Sequence, residues 1–370
     1  MQKKIRVGIL FGGKSAEHEV SLQSAKNIID SIDKDKYEVV LIGIDKQGRW
    51  HLNETSRYLL NADNPKLIKL NTNPSHLALV PGNQSHQLID IATSEPTGKV
   101  DVVFPIMHGP YGEDGSIQGL LKLAEVPFVG AGVLGSAVGM DKDVMKRLLK
   151  EAGLPTAKFL VFQSSARKAI RFDEVAAQLG LPFFVKPANL GSSVGIHRIV
   201  NASEFERAID DAFLYDRKIL IEENIAGREI ECSVLGNAEP IASLPGEIIA
   251  NAEHHTFYSY EAKYIDESGA TLEIPANLDQ DTIRRIQEIA IEVFRVLCCE
   301  GMARIDFFLK KNGEIVVNEL NTIPGFTRIS MYPKLWQASG ISYTELIDRL
   351  IQLAIDRFKT EQALRTSYES

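Results

Sequence analysis

Short continuous apolar runs alternate with helical patterns along the first part of the chain. Ile5 to Phe11 and Tyr37 to Ile44 are such runs, and the segment from about Ser15 to Ile32 between them has amphipathic helical spacing. A strand, a helix and a second strand in this order predict a parallel unit of a doubly wound α/β sheet. The run from Val100 to Pro105 predicts a further buried strand.

The pattern of the remaining chain is mixed. Residues 52–99 contain four prolines and little periodicity, so we expect peripheral hairpins and loops there. Strands are predicted at Phe183 to Lys186 and Ile219 to Glu222, and apolar residues recur at helical spacing from Asp279 to Cys299. A last helix is predicted to begin at Ser342, where a capping-box pattern starts.

Length, charge and cysteine content limit the class of protein. The 370 residues suggest two or three domains, with one boundary near Met140. The chain has 41 Lys and Arg against 49 Asp and Glu, a formal net charge of -8, which disfavours nucleic acid as a partner. Its three cysteines make no disulfide framework, and no apolar run suits a signal peptide or a membrane span. We expect a cytoplasmic protein that binds neither nucleic acid nor membranes.

The most informative segment is a predicted hairpin. Asn312-Gly313 lies between two apolar-rich stretches, and a two-residue turn there would place Asp306 opposite Glu319 and Arg304 opposite Asn321. Two carboxylates that face each other on a sheet repel, and a divalent cation removes this conflict. Carboxylate and amide oxygens suit magnesium that is shared with substrate phosphates, so the hairpin predicts a metal site. The alternative is a solvated polar face on an exposed hairpin.

A second candidate site follows the strand that ends at Lys186. The loop from Gly191 to Gly195 contains Ser192 and Ser193, whose hydroxyl and backbone N–H groups can bind phosphate beside the lysine charge. The loop lacks the Gly-Lys-Ser/Thr ending of a P-loop, and an ordinary surface turn is the alternative.

Gly130 to Gly135 match the dinucleotide-binding fingerprint letter for letter. That fingerprint requires an acidic residue at the end of the next strand, whereas Glu151 lies in a predicted helix. A tight turn that leads into a helix is therefore the favoured interpretation. A nicotinamide-dependent oxidoreductase that uses these glycines is kept as an alternative function.

Two weaker features follow predicted strands. Glu17-His18-Glu19 and His108 lie in loops of the kind where open α/β sheets bind ligands. The alternatives are an acidic cluster that stabilises the start of a helix and a histidine with a structural role.

Taken in order, these motifs resemble the D-alanine–D-alanine ligase family of the ATP-grasp superfamily. The resemblance covers essentially the whole chain except residues 52–99. Its motifs are Phe11-Gly12-Gly13, Ser15 to Ser21, His108-Gly109 with Gly112 to Gly115, Met140-Asp141-Lys142, Lys186-Pro187 with Gly191 to Gly195, Tyr260 to Tyr264, Arg304-Ile305-Asp306, Asn318 to Thr322, and Pro324 to Thr327.

The resemblance implies an α/β and α+β chain of three domains. An N-terminal doubly wound α/β domain that binds substrate would span residues 1–140. A two-domain ATP-grasp fold would follow, with a central domain that carries the phosphate lid over 141–236 and a C-terminal domain that carries the metal site over 237–370. The implied activity is ATP-dependent ligation of two D-alanines through a D-alanyl phosphate, for peptidoglycan synthesis. The implied cofactors are ATP and two Mg²⁺ (or Mn²⁺), and the implied assembly is a homodimer.

The resemblance also assigns roles to individual positions. ATP would be bound by Lys142, Lys186, Ser192, Ser193, Glu222, Glu223, Ile225, Glu229, Lys263, Phe308, Asn318 and Glu319. The metal ions would be held by Asp306, Glu319 and Asn321. The D-alanines would be bound by Glu17, Val20, His108, Arg304, Gly325, Ser330 and Met331. The catalytic residues would be Glu17, Ser192, Tyr264, Arg304 and Gly325.

Three rival functions remain at this point. A D-alanine–D-lactate ligase shares the ATP site, but the Tyr260 to Tyr264 segment favours the dipeptide product. The oxidoreductase leaves the hairpin unexplained. A non-catalytic nucleotide-binding regulator is disfavoured because every expected ligand residue is present.

Overall fold

The computed structural model describes residues 3–54, 56–72, 76–82, 87–250, 270–365 and 367–368. Its first part contains β1 (Ile5–Gly12), α1 (His18–Ser31), β2 (Tyr37–Ile44), β3 (Trp50–Asn53), β4 (Leu59–Leu60), β5 (Lys69–Leu70), β6 (Leu77–Leu79), β7 (Leu88–Asp90), β8 (Pro96–Gly98), β9 (Val102–Ile106), α2 (Ser116–Leu123), α3 (Val133–Met140) and α4 (Lys142–Glu151).

The second part contains β10 (Phe159–Gln163), α5 (Phe172–Leu179), β11 (Phe183–Pro187), β12 (His197–Ile199), α6 (Phe205–Tyr215) and β13 (Lys218–Glu223), with short 3₁₀ helices at Ser164–Ala169 and Ala202–Glu204. The third part contains β14 (Arg228–Gly236), β15 (Ile241–Ala242), β16 (Gly246–Ala250), β17 (Ala270–Glu273), α7 (Gln280–Val296), β18 (Gly301–Leu309), β19 (Ile315–Asn321), α8 (Met331–Ala338) and α9 (Tyr343–Gln362).

The first sheet has the strand order β3-β2-β1-β9. Both β2 and β9 run parallel to β1, which confirms the predicted parallel unit. Among the described residues of 54–99, the strands are short, with two or three residues each, and form the β4-β5 and β6-β7-β8 sheets, which agrees with the predicted peripheral hairpins and loops. The carboxyl end of β1 leads through residues 13–17 to the start of α1. Open α/β sheets bind ligands at this end, which we call the crevice.

The second and third sheets are antiparallel. The second has the order β10-β13-β11-β12, and the third has the order β17-β16-β14-β18-β19 with β15 beside β14. The Asp141 side chain caps α4 by accepting hydrogen bonds from the N–H groups of Asp143 and Val144. Met145 and Leu149 of α4 are buried in one core with strands of the third sheet. We therefore propose that α4 and β14 belong with the C-terminal unit, and the boundaries drawn from sequence stay a proposal.

The C-terminal helix joins the last part of the chain to the first. Leu346, Ile347 and Leu350 of α9 are buried in the same core as β1 and α1. Ser342 caps this helix through the N–H of Glu345, as predicted. Among the described residues, no helix combines the length and the apolar composition needed to cross a membrane.

Candidate active site

The predicted pairing in the β18–β19 hairpin is confirmed, but its predicted turn is wrong. Asp306 pairs with Glu319 and Arg304 with Asn321, whereas beyond a register shift Phe307 pairs with Val317. A two-residue turn would have kept one register along the whole ladder. The Gly313 N–H instead donates to the Lys310 carbonyl, so the loop has three residues, and only its glycine has positive φ.

A β-bulge at Asn318 reconciles the turn with the pairing. Asn318 is the extra residue on β19, so it and Glu319 both line the same cleft while Val317 and Leu320 are buried in the core. The bulge shifts the register by one position, which compensates for the longer loop. Glu319 therefore faces Asp306 as the sequence predicted, for a different physical reason.

Arg304 lies at the centre of a cluster of carboxylates on this face. Its Nε and Nη2 donate to the two Asp306 oxygens, both at 2.7 Å, and its Nε lies 2.8 Å from Glu231 Oε2 on β14. The Asn321 Nδ2 group donates to Asp306 Oδ2 at 3.2 Å. The four predicted residues thus converge, together with Glu231, which the sequence reasoning missed.

The donor set of this hairpin fits a magnesium ion that is shared with a nucleotide. No three or more His, Cys, Asp or Glu side chains within the described ranges are arranged to hold a metal by themselves. Asp306 and Glu319 supply two carboxylates and Asn321 an amide, which are hard oxygen ligands. Magnesium is usually bound by one or two carboxylates plus phosphate oxygens and water, so this partial set is sufficient.

A cleft of about 310 Å³, open to solvent, separates the second sheet from the third. All but one of the positions predicted for ATP line this cleft, and Lys263, like Tyr264, lies outside the described residues. The lining positions are Lys142, Lys186, Ser192, Ser193, Glu222, Glu223, Ile225, Glu229, Phe308, Asn318 and Glu319.

The base of the cleft holds charges that are paired with each other. Glu222 is buried, with Lys186 Nζ 2.6 Å from its Oε2 and Lys146 Nζ 3.1 Å from its Oε1. Burial by itself would raise the pKa of Glu222, but the two lysine charges outweigh burial and hold that pKa below its usual range. Lys142 Nζ donates to the Leu190 carbonyl at 2.7 Å and lies 3.8 Å from Glu319 Oε2.

The loop Leu190–Ser193 connects the cleft with the crevice at the end of β1. Ser192 and Ser193 both have left-handed backbone angles, with φ of 54° and 60°. The Ser192 hydroxyl donates to the buried carboxylate of Glu17, at the start of α1. The two sequence candidates, the phosphate loop and the Glu17 cluster, therefore form one continuous site.

His108 is held on both ring nitrogens by protein atoms. A carbonyl can only accept, so Nδ1–H donates to the Ile323 carbonyl at 3.0 Å, and Nε2 accepts from the Ser24 hydroxyl at 3.2 Å. Burial lowers the pKa of His108 to about 4, so the ring is neutral near pH 7. Direct contact of His108 with D-alanine stays a prediction, since neither nitrogen points away from the protein.

Glu113 ties the loop after β9 to the loop after β19. Its Oε2 accepts the Gly109 N–H at 2.8 Å and its Oε1 accepts the Ile323 N–H at 3.0 Å. Burial, together with the negative charge of Glu17, raises the pKa of Glu113 to about 8. The sequence shows only an acidic loop here, and nothing in it indicates that this half-buried carboxyl joins the two loops.

The loop Ile323–Phe326, which contains Gly325, is held from both sides. The Phe326 N–H donates to Ser24 Oγ, and the Phe326 carbonyl accepts from Asn27 and Tyr343. Among the other positions predicted for D-alanine, Ser330 hydrogen-bonds with Thr327, whereas Val20 and Met331 are buried in the hydrophobic interior.

Gly130 to Gly135 form a turn that leads into a helix, as the favoured interpretation predicted. Gly130 has a φ of 93°, α3 begins at Val133, and Glu151 is the last residue of helix α4. A side chain at Gly135 would come within 2.5 Å of the Cys298 carbonyl oxygen. The glycines therefore allow α3 to pack closely, and they do not form a strand–turn–helix nucleotide site.

Comparison with known proteins places both halves of this site in one family. A family model described as the D-ala D-ala ligase N-terminus matches residues 6–131, and one described as the D-ala D-ala ligase C-terminus matches residues 148–352. A D-alanine--D-alanine ligase of Shouchella clausii is 59% identical over 367 residues, which is 99% of each chain.

Solved structures agree with this assignment. The D-alanine-D-alanine ligase from Coxiella burnetii superposes with a TM-score of 0.82 at 39% identity, covering 97% of this chain and 96% of the other. The VanG D-Ala:D-Ser ligase from Enterococcus faecalis also gives a TM-score of 0.82, at 36% identity over 95% and 100% of the two chains. The chain has the ATP-grasp architecture and belongs to the D-alanine–D-alanine ligase family.

Proposed function

We propose that the protein joins two D-alanine molecules to D-alanyl-D-alanine with the hydrolysis of ATP to ADP and phosphate. The observation that carries this proposal is the loop Leu190–Ser193. It lines the charged cleft on one side, and on the other it hydrogen-bonds Glu17 in the crevice. A nucleotide phosphate in the cleft would thus lie beside a small molecule in the crevice.

The cleft residues would bind ATP. Lys142 and Lys186 would neutralise its phosphates, and the loop with Ser192 and Ser193 would cover them. Asp306, Glu319 and Asn321 would hold two Mg²⁺ or Mn²⁺ ions, which would offset the charge of the transferring phosphoryl group when bound. Glu222, Glu223, Ile225, Glu229, Phe308 and, outside the described residues, Lys263 would line the adenosine site.

The crevice residues would bind and activate the amino acids. Glu17, which accepts a hydrogen bond from Ser192, would bind the ammonium group of the first D-alanine. Tyr264, outside the described residues, would join this hydrogen-bonded set, as the family resemblance implies. The first D-alanine carboxylate would accept the γ-phosphoryl group, which makes it an electrophile, and the second D-alanine amine would attack it and expel phosphate. Arg304 and the Gly325 N–H would stabilise the tetrahedral oxyanion that forms during this attack.

The proposal includes a cellular location and an oligomeric state. The ligase would act in the cytoplasm, where ATP is available, and this fits the three cysteines, which are all free thiols. It would supply the dipeptide for peptidoglycan precursors and would form a homodimer, which light scattering can test.

An ADP-release assay tests the proposed reaction. We expect ADP in stoichiometric amounts with D-alanyl-D-alanine when D-alanine, magnesium and ATP are present, and none with L-alanine. Assays that contain D-alanine together with D-serine or D-lactate show whether mixed products form. Preferred formation of a mixed product would assign the second site to that acceptor instead of D-alanine. Absence of ADP release from folded protein with D-alanine would refute the proposal.

A further inference from the structure

Lys146 is a lysine with no exposed surface, on the face of α4 that packs into the core beneath the ATP cleft. Burial lowers the pKa of its ammonium group, and only the nearby carboxylates oppose this effect. Lysine is almost never fully buried unless it is paired. Its polar contacts therefore identify what keeps a charge at this position.

In the first of these contacts, one carboxylate is shared by two lysines. Lys146 Nζ donates to Glu222 Oε1 at 3.1 Å, and Lys186 lies 2.6 Å from the other oxygen. These three groups have a formal charge of +1, and Lys186 is the member that lines the cleft. An ammonium group has three N–H donors, so Lys186 has donors for a phosphate besides its contact with Glu222.

The second contact lies on the metal hairpin. Lys146 Nζ is 3.3 Å from the carbonyl oxygen of Asn318, the extra residue of the β19 bulge. A bulge residue is left out of the ladder, so its carbonyl needs another partner. This bulge sets the register in which Glu319 faces Asp306.

We propose that Lys146 is a positioning residue that couples the phosphate-binding lysine of the cleft to the geometry of the metal ligands. The inference rests on the proposed function only in assuming that a nucleotide and a divalent cation bind in this cleft. An ordinary core ion pair would stabilise the fold and leave ligand affinities unchanged, which separates the two explanations.

The test compares Lys146→Met with the same change at Lys150, which is exposed on the same helix. The probes are ADP and tripolyphosphate by calorimetry and Mn²⁺ by electron paramagnetic resonance, so the result does not depend on ligase turnover. For Lys146→Met we expect about tenfold weaker binding of tripolyphosphate and of Mn²⁺ with ADP, a change that corresponds to ~1.4 kcal/mol. Lys150→Met should match the wild type.

The double variant Lys146→Met/Glu222→Gln separates the two contacts. Without the Glu222 charge, the net charge of the cluster returns to +1, on Lys186, so the affinity for tripolyphosphate should recover. Mn²⁺ binding should stay weak, because the Asn318 carbonyl still lacks its donor. If Lys146→Met fails to fold, this double variant carries the test, since it removes the buried Glu222 charge together with one of the two lysines that share it. Wild-type affinity for Mn²⁺ with ADP in the folded single or double variant would overturn the proposal.

Discussion

The cleft proposed for ATP and the crevice proposed for D-alanine differ in how they accommodate ionisable groups. In the cleft, Lys146 and Lys186 both lie within hydrogen-bond distance of the buried Glu222 carboxylate. In the crevice, burial favours the neutral forms of His108 and Glu113, which are bonded to backbone groups. The first arrangement suits a polyanion and its cations, and the second suits a small zwitterion.

This difference explains how one site can bind both kinds of ligand. A nucleotide needs a positive surface that is not already neutralised by its own protein, and the lysine pair on Glu222 supplies it. An amino acid needs one carboxylate for its ammonium group. A second ionised carboxylate beside Glu17 would repel the Glu17 carboxylate. Arg304 lies between the regions, because it binds Asp306 while its charge also acts on His108 and Glu113.

The largest expected effect comes from removing this link. Arg304→Ala should lower kcat on the order of a hundredfold or more, as the loss of an oxyanion donor does, and should weaken ATP binding much less. The measurement is steady-state ADP release with varied ATP and D-alanine. Near-normal kcat would remove Arg304 from the mechanism.

Arg304→Lys serves as its control. Lysine keeps the positive charge between Asp306 and Glu231 but loses the two-pronged contact with Asp306. We expect its kcat to lie between those of Arg304→Ala and the wild type. Its free energy of unfolding should be closer to that of the wild type. Equal kcat values for the two variants would show that geometry, rather than charge, is what Arg304 supplies.

The comparison also shows what the sequence could predict. The assumed two-residue turn gave the pairing of Asp306 with Glu319, and local alternation gave the face that each side chain occupies. The pairing holds in the structure because the bulge at Asn318 offsets the longer loop. The turn prediction failed because the adjacent polar pair Asn318-Glu319, which breaks the alternation, is a weak signal of a bulge. The burial of Lys146 and the contacts of Glu113 depend on segments far apart in sequence, so no local pattern could reveal them.

A second prediction concerns the crevice alone. Folded Glu113 holds its proton up to a pH of about 8, well above an unfolded glutamate, so unfolding releases a proton between these values. Stability should therefore fall as pH rises through this window and level off above it. Glu113→Gln should flatten this decline in melting temperature between pH 5.5 and 9.5.

The matched control for this variant is Glu151→Gln, at an exposed carboxylate. Its melting temperature should follow the wild-type pH dependence. Parallel curves for the wild type and Glu113→Gln would contradict the assignment of a retained proton to Glu113.

A third prediction concerns the loss of a hydrogen bond beside the crevice, which leaves the charge of the crevice unchanged. The Asn27 side chain donates to the Phe326 carbonyl at 3.0 Å and helps to fix the loop that contains Gly325. Asn27→Ala should lower kcat by about threefold to tenfold, because small displacements of a reacting geometry are costly, and should leave ADP affinity unchanged. Asp30→Ala, at an exposed position of the same helix, is the control, and equal kcat for both variants would exclude the positioning role.

The smallest effect is expected in the cleft, at the start of α4. Asp141 caps the helix whose first residue is Lys142 and also lies 2.6 Å from Lys218. Asp141→Ala should cost about 1 kcal/mol of unfolding free energy, typical of a lost cap, while kcat stays within about twofold because Lys142 keeps its contact with Leu190. Asp141→Asn keeps the capping oxygen without the charge, so it should be closer to the wild type in urea unfolding. If Asn destabilises as much as Ala, the pair with Lys218 is the cause, and charge pairing rather than capping holds this end of the cleft.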